Sequence, residues 1–567
     1  VDPATGKERP GAIRPEELLV HSHRDGHFLS NVVGFLGSRI VSLTGSEWLA
    51  QHVVRACRRL LPGAPGNGHD GAFRFRVHRA ETEQLLRRLR DEARAALDRC
   101  GHGSRLRIFL TGATGFLGQE LLAQAATDPH VEEVVCLVRA QSVRGRDGRA
   151  HRQGARARGR RLLEHLGLTA QASRFRFVEG DVERRGLGLA AAEAARLRRT
   201  ITHVVHCAAS VSFDSPYAES FRANVLGARN VLALSAGLQR ARGGCFVAHV
   251  AVETSYVHGR VGHVLAREGD LRFPLDFYNN YYELTKAMAT LETHRAMVER
   301  GLRVVQLLPS IVVGHSGTGN NHGDTKVVNA PVNAFGRVQA GLQAGMGLAQ
   351  RLAGRVAAAA ATAFPADGSA ELNLVPVDRV VAGVLAALRT PEAVGRRIHL
   401  ATDRRIRSDE IARVIREELE VGVRLADPTL ARTLMLPLAR AVLRRLGRDG
   451  LAHSLDRLGA IFGVYSERGQ PIHGVGDDVR VLGLPGRRPD TVRVFRMLCR
   501  HNRYVQKFGA VRDAPEVARR ERVWARALEE IEFATGQRAS RIPAAEFRSL
   551  LAQRIDLATF QPREPPP

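Results

Sequence analysis

Lysine is almost missing from this chain: only Lys7, Lys286, Lys326 and Lys507 occur in 567 residues, and the other eighty of its 84 basic residues are arginine. Aromatic side chains are also scarce, at 5%, and the arginines run along the whole length instead of gathering on one arm or helix. A nucleic-acid-binding protein concentrates its charge on one face with interleaved aromatics, so the net charge of +26 is not a nucleic-acid footprint and no nucleic-acid partner is expected. The six cysteines (Cys57, Cys100, Cys136, Cys207, Cys245 and Cys499) lie far apart and form no CxxC pair. That excludes a disulfide framework and a cysteine zinc site, and leads to the expectation of reduced thiols in a cytoplasmic protein. No stretch approaches the ~18 uninterrupted apolar residues of a membrane-spanning helix. The best candidate, Phe28 to Leu43, is broken by Ser30, Asn31, Ser38 and Arg39. A basic-then-apolar export signal is not seen near the start. The HSHRDGH cluster, His21 to His27, lacks a fixed ligand spacing and reads as a surface loop, so no metal is expected.

What is present is an ordinary globular composition, 44% apolar and 25% charged, in a chain long enough for several domains. The densest basic run, Arg139 to Arg161, sets nine arginines against Asp147 alone. It reads as a solvated surface insertion, with attraction of a polyanionic substrate or an acidic membrane surface as the sharper alternatives. Residues 1–103 form an N-terminal extension, with a charged helix expected over Glu81 to Asp98 that presents Leu85, Leu86, Leu89 and Ala93 on one face. From Arg105 short apolar runs alternate with helical stretches: Leu106–Leu110, Val134–Val138, Phe175–Val178, Val204–Cys207, Phe246–Val250 and Val304–Leu308. Continuous apolar strands between amphipathic helices are the mark of an α/β fold with a doubly wound parallel sheet of Rossmann type. The organisation expected is a nucleotide-binding domain over 104–320, a smaller substrate-binding subdomain over 321–415 and a mainly helical region over 416–567.

The first strand runs into Thr111-Gly112-Ala113-Thr114-Gly115-Phe116-Leu117-Gly118 and then a helix. Gly112 permits the turn, Gly115 lets backbone approach a pyrophosphate, and Gly118 lets the helix pack close to the sheet; the phosphate then sits on exposed N–H groups at the helix N-terminus. At the end of the second strand stands Arg139, where an acid would select NAD and an arginine suits the 2′-phosphate of NADPH. Asp181, closing the third strand, is placed to meet the adenine, and Ala208 and Ala209 after the fourth are small enough for the cofactor to lie against the backbone.

Tyr282-Glu283-Leu284-Thr285-Lys286 puts a tyrosine and a lysine one turn apart on a helix. By composition alone such a pair arises roughly one time in twenty. A phenol titrates near ~10, and a neighbouring ammonium is expected to lower that value and ready the tyrosine for proton transfer. Thr254, at the end of the fifth strand, can offer a hydroxyl to a substrate oxygen, with Ser255 as the alternative.

Together TGATGFLG, VHCAASVSFD, NVLGARNVL, YELTK, LPSIVVG and NLVPVDRVV resemble an extended short-chain dehydrogenase/reductase, and more narrowly the branch of fatty acyl-CoA reductases (the male-sterility domain) and carrier-linked thioester reductases. The resemblance covers about residues 105–415. It implies Thr254, Tyr282 and Lys286 as the catalytic triad, Pro309 beside the nicotinamide, and Asn224 as an asparagine that positions the lysine or its water. Two departures stand out: Glu253-Thr254-Ser255 replaces the family's usual Ser-Thr before alanine and tyrosine, and Leu308 replaces an arginine before Pro-Ser. The function expected is NADPH-dependent reduction of a long-chain acyl-CoA to aldehyde or alcohol. The alternatives are a reductase for acyl groups on a carrier protein, a nucleotide-sugar epimerase or dehydratase, and a non-catalytic NADP-binding sensor or scaffold. Apolar segments between Gly336 and Phe364 are expected to wall an acyl tunnel, and basic stretches such as Thr429–Arg445 to allow peripheral contact with anionic membranes.

Overall fold

The structure, a computed structural model, describes residues 79–100, 105–144, 150–213, 215–259, 265–269, 280–324, 363–419, 422–426, 471–508, 514–539, 542–556 and 561–563, with single residues such as Tyr278 and Tyr465 between them. The apolar runs become parallel strands within a few residues of their expected bounds: β1 Leu106–Thr111, β2 Val131–Val138, β3 Phe175–Glu179, β4 His203–His206, β5 Ala248–Val252 and β6 Val304–Pro309. A seventh, β7 Arg397–Leu400, joins from the segment read as substrate subdomain. The sheet has the order β3-β2-β1-β4-β5-β6-β7, every neighbouring pair parallel. Strand order therefore reverses between β1 and β4, and the crevice at the carboxyl ends of the strands there is where such sheets bind ligands. Register aligns those ends in one row: Thr111 lies opposite Leu137 and His206, Val252 opposite Leu307, and Pro309 opposite Leu400.

Helices cover both faces, because strands that are apolar on both sides need burial twice. The helices are α1 Arg79–Arg99, α2 Phe116–Ala125, α3 Ala155–Leu166, α4 Ala191–Thr200, α5 Tyr217–Phe221, α6 Gly227–Gln239, α7 Tyr281–Arg300, α8 Val377–Ala387, α9 Ser408–Leu419, α10 Thr491–Phe508, α11 Ala514–Thr535 and α12 Ala544–Arg554, of which α1–α4 and α6–α8 contribute to the core of the main sheet. Leu89, Ala93 and Ala96 of α1 are fully buried in the same apolar cluster as Ile108 and Phe109 of β1, so the N-terminal helix is part of the main core. Each buried leucine there contributes about 2 kcal/mol of transfer free energy. The basic run after β2 folds as a hairpin, Gln141–Arg144 against Ala150–Gln153, followed by α3. Its Arg152, Arg156, Arg160 and Arg161 are exposed, while Leu162, Leu163 and Leu166 turn inward.

Three short strand pairs build a second cluster beside the main sheet: Ile311–Val313 with Leu374–Pro376, Ala363–Pro365 with Arg424–Ala426, and Glu371–Leu372 with Ile406–Arg407. Helices α9 and α10 pack on it through Val414, Ile415, Phe495 and Leu498. A third cluster around Trp524, Ile531 and Phe547 joins α11 and α12. Among the described residues no helix is long and apolar enough to cross a membrane. The stretch Phe28–Leu43, the histidines at 21–27, the tunnel segment up to residue 362 and the basic stretch 429–440 lie outside the described residues.

Candidate active site

The glycine loop leaves β1 at a point where side chains are sterically refused. Gly112 has φ +84°, and a Cβ there would stand 2.7 Å from the Ala208 amide nitrogen. A Cβ on Gly118 would stand 2.2 Å from the Gly112 carbonyl oxygen, so only glycine lets α2 start this close to the sheet. Gly115 caps α2 without a side-chain hydrogen bond, and Thr114 and Gly115 are exposed at the helix N-terminus. Gly115 donates its own N–H to the Gly112 carbonyl at 3.0 Å, and the amide donors of the first turn that follows, at the positive end of the helix, fit the pyrophosphate of a dinucleotide. Leu117 packs into the main cluster, and the Phe116 ring lies 6.2 Å from that of His322.

Thr111 has a different duty from the one expected. It is fully buried; its Oγ1 lies 2.7 Å from His206 Nδ1 and accepts the Ala208 N–H at 3.3 Å. It thereby ties β1 to the turn after β4 and holds Ala208 and Ala209 at the crevice, instead of facing a ligand. Asp181 spends one carboxylate oxygen on the Glu183 amide at 3.0 Å, which shapes its own turn. Arg139 stands at the end of β2 with two thirds of its side chain exposed, 4.0 Å from Glu183. Arg158 of α3 donates to the Arg139 carbonyl at 2.6 Å, and its own pKa is pulled down by burial and by the Arg139 charge. Two guanidiniums therefore flank the end of β2, an addition to the site that the sequence did not single out.

Across the crevice, β5 ends in Val252 and delivers Glu253, Thr254 and Ser255, while α7 delivers Tyr282 and Lys286 one turn apart. Asn280 caps α7 by accepting the Glu283 amide at 3.0 Å, which fixes the phase of the helix. Thr254 lies beside the Tyr282 phenol and accepts the Tyr256 amide at 3.3 Å. Thr254, Tyr282 and Lys286 are thus brought together, with buried Pro309 at the end of β6 on the same edge of the sheet. Ser255 is fully buried and its hydroxyl has no hydrogen-bond partner, while its carbonyl lies 3.2 Å from His473 Nε2. The contact to Tyr282 is made by Thr254.

The electrostatics differ from the sequence expectation. Lys286 Nζ donates to the Val252 carbonyl at 2.9 Å and lies 2.7 Å from Glu253 Oε2, with both side chains buried. The lysine is engaged by this carboxylate, and Tyr282 is raised, not lowered, from the usual tyrosine value. Burial is the main cause, the Glu253 and Glu283 carboxylates add to it, and the Thr254 hydroxyl opposes it. Asn224 also acts at one remove. It sits in a single π-helical turn, Arg222–Leu226, binds both the N–H and the C=O of Ser210 (2.7 and 3.1 Å), and donates to Thr285 Oγ1 at 3.0 Å. Its bonds join the loop after β4 to α7 beside Lys286, not to the lysine itself. Two further residues close over the site: Phe213, whose ring is 5.5 Å from Tyr282, and Tyr465, which donates to Glu283 Oε1 at 2.5 Å. Phe213 lies in the VHCAASVSFD segment, whereas nothing near Tyr465 in the sequence signals its place. Among the described residues no His, Cys, Asp and Glu cluster suited to a metal occurs.

A reversal-point crevice with a glycine cradle, faced by a Thr–Tyr–Lys set, defines an extended short-chain dehydrogenase/reductase scaffold. Residues 110–384 match the family model described as male sterility protein, an NAD-binding domain. The terminal R domain of the myxalamid PKS-NRPS biosynthetic pathway is 27% identical, with a TM-score of 0.55 over 71% of this chain and 91% of that one. A thiolation-reductase di-domain from an archaeal non-ribosomal peptide synthetase shares the fold at 17% identity and a TM-score of 0.50, over 88% of this chain and 98% of that one. Glycine betaine reductase ATRR of Emericella nidulans is 32% identical over 219 residues, 37% of this chain. That match takes in 15% of the relative, so the chain spans only a small part of it.

Proposed function

We propose that this chain reduces acyl thioesters held on the arm of a carrier domain, with NADPH as reductant, and releases the aldehyde. The single observation that carries the reading is the 27% identity over 91% of a terminal R domain, in a chain that assembles Thr254, Tyr282 and Lys286 at the crevice. The sequence alone put long-chain acyl-CoA first and the carrier-bound thioester second; the comparisons favour the second. NADPH is preferred over NADH because Arg139 and Arg158 flank the end of β2, where a ribose 2′-phosphate would lie.

The nicotinamide cofactor supplies the hydride when bound. The 112–118 loop and the first turn of α2 hold its pyrophosphate, and the small side chains of Ala208 and Ala209 leave room along the backbone. Thr254 and Tyr282 direct two hydroxyls at one point, where they stabilise the oxyanion that grows as the carbonyl carbon is reduced. Tyr282 donates its proton to that oxygen, with Lys286 one helical turn away and paired with Glu253. Breaking the C–S bond then restores the carbonyl, the sulfur leaves as thiol, and the balance is one thioester, one NADPH and one proton to one aldehyde, one thiol and one NADP.

The test is reduction of the same acyl group presented on a carrier domain and on coenzyme A, with NADPH or NADH and with product extraction. Aldehyde formed faster from the carrier with NADPH supports the reading. Faster turnover of acyl-CoA returns the function to a fatty acyl-CoA reductase, and NADPH binding without turnover of either leaves a nucleotide-binding scaffold.

A further inference from the structure

The position before Thr254 holds a carboxylate where the resembling family usually has serine, and the fold buries it: Glu253 is 3% exposed. A buried carboxylate costs several kcal/mol unless paired, and its pair here is the one lysine of the site. Glu253 Oε2 lies 2.7 Å from Lys286 Nζ, which also donates to the Val252 carbonyl at 2.9 Å. The pair is close but not aligned as a hydrogen bond, so neither Glu253 oxygen has a hydrogen-bond partner. The contact is thus mainly one of charge, and it spends the ammonium on a carboxylate.

The surroundings do not restore a positive field. Groups facing the Tyr282–Lys286 pair are Glu253 and Thr254 from the end of β5, Glu283 from α7, Phe213 from the loop after β4, and His206 and Cys207 at the end of β4. His206 is held neutral by burial, with His249 and Lys286 adding to that effect. Cys207 is pushed up to about 12 by burial and stays a thiol. Tyr465 touches Glu283 and keeps its own proton. Among the described residues, two carboxylates and one cation are therefore the charges set around the phenol.

We propose that Glu253 is a positioning residue that pins Lys286 against the Val252 carbonyl and offsets its charge, so that Tyr282 is kept as a phenol and the site is set for donating a proton, the direction of reduction. This rests on the reductase reading above but concerns the protonation of Tyr282, which can be read without turnover.

The experiment is a spectroscopic titration of phenolate absorbance in the wild-type chain and in Tyr282→Phe, their difference isolating Tyr282, repeated in Glu253→Gln and Glu253→Asp. The wild-type difference signal is expected above pH 10. Glu253→Gln moves it down by about one pH unit or more, while Glu253→Asp keeps it near the wild type. In turnover, the alkaline limb of kcat for thioester reduction falls by the same amount in Glu253→Gln, with the KM for NADPH unchanged. A wild-type Tyr282 signal below pH 9 overturns the proposal whether or not the variants fold, and so does an unmoved signal in folded Glu253→Gln. If no acyl substrate is reduced but the titration behaves as stated, the reductase reading fails and the role of Glu253 stands.

Discussion

At the scale of single residues, the site divides into groups that touch reacting atoms and groups that hold them. Tyr282→Phe removes one oxygen from a half-buried ring that packs at a tilt against Phe213, so it leaves packing intact. The expected result is a loss of kcat on the order of 10²–10⁴-fold with NADPH binding retained, read by fluorescence titration beside steady-state rates. Arg139→Ala removes one of the two guanidiniums at the end of β2. The KM for NADPH is expected to rise about tenfold, corresponding to one charge-assisted contact of about 1.4 kcal/mol, while the KM for NADH stays unchanged. The proposed Tyr282–Lys286 pair was legible in the sequence because residues four apart share one face of a helix. Its charge state was not, because that depends on Glu253, a residue distant in the chain from Lys286 and brought to it only by the β5–α7 contact.

At the scale of elements, the π-helical turn Arg222–Leu226 is the joint between the cofactor side and the catalytic helix. An extra residue in that turn aims Asn224 at Ser210 and Thr285 at once. Asn224→Ala leaves the half-buried Ser210 N–H without its partner, and the expected cost is about 1 kcal/mol in denaturant unfolding, together with a reduced kcat. Strands β1 to β6 and helix α7 could be read from apolar runs and helical spacing because burial on both faces writes itself into composition. The seventh strand, Arg397–Leu400, could not: RIHL carries an arginine and a histidine, and only its pairing with β6 identifies it.

At the scale of the whole molecule, the chain is built around neutral buried histidines. Burial lowers His203, His249 and His473 to about 3 and His294 and His399 to about 4, all from 6.5. Between pH 6.5 and 4 the unfolded chain binds protons at these positions and the folded chain does not, so unfolding is favoured as pH falls. The stability they contribute is complete above pH 6.5 and is lost progressively below it. Thermal unfolding followed by circular dichroism is expected to give a Tm that is level from pH 7 to 8 and drops steeply from 6.5 to 4, with a slope of several protons.

The hydrogen bond between Tyr465 and Glu283 spans 182 residues, and it has a consequence in time. As the chain emerges from the ribosome, everything needed for the glycine cradle and strands β1 to β6 is present once Pro309 has been made. The seventh strand must wait for Leu400, and the partner of the acid in the first turn of α7 for Tyr465. Chains synthesised from the N-terminus fold in that order, so strands β1 to β6 are all present long before Tyr465 can close on Glu283.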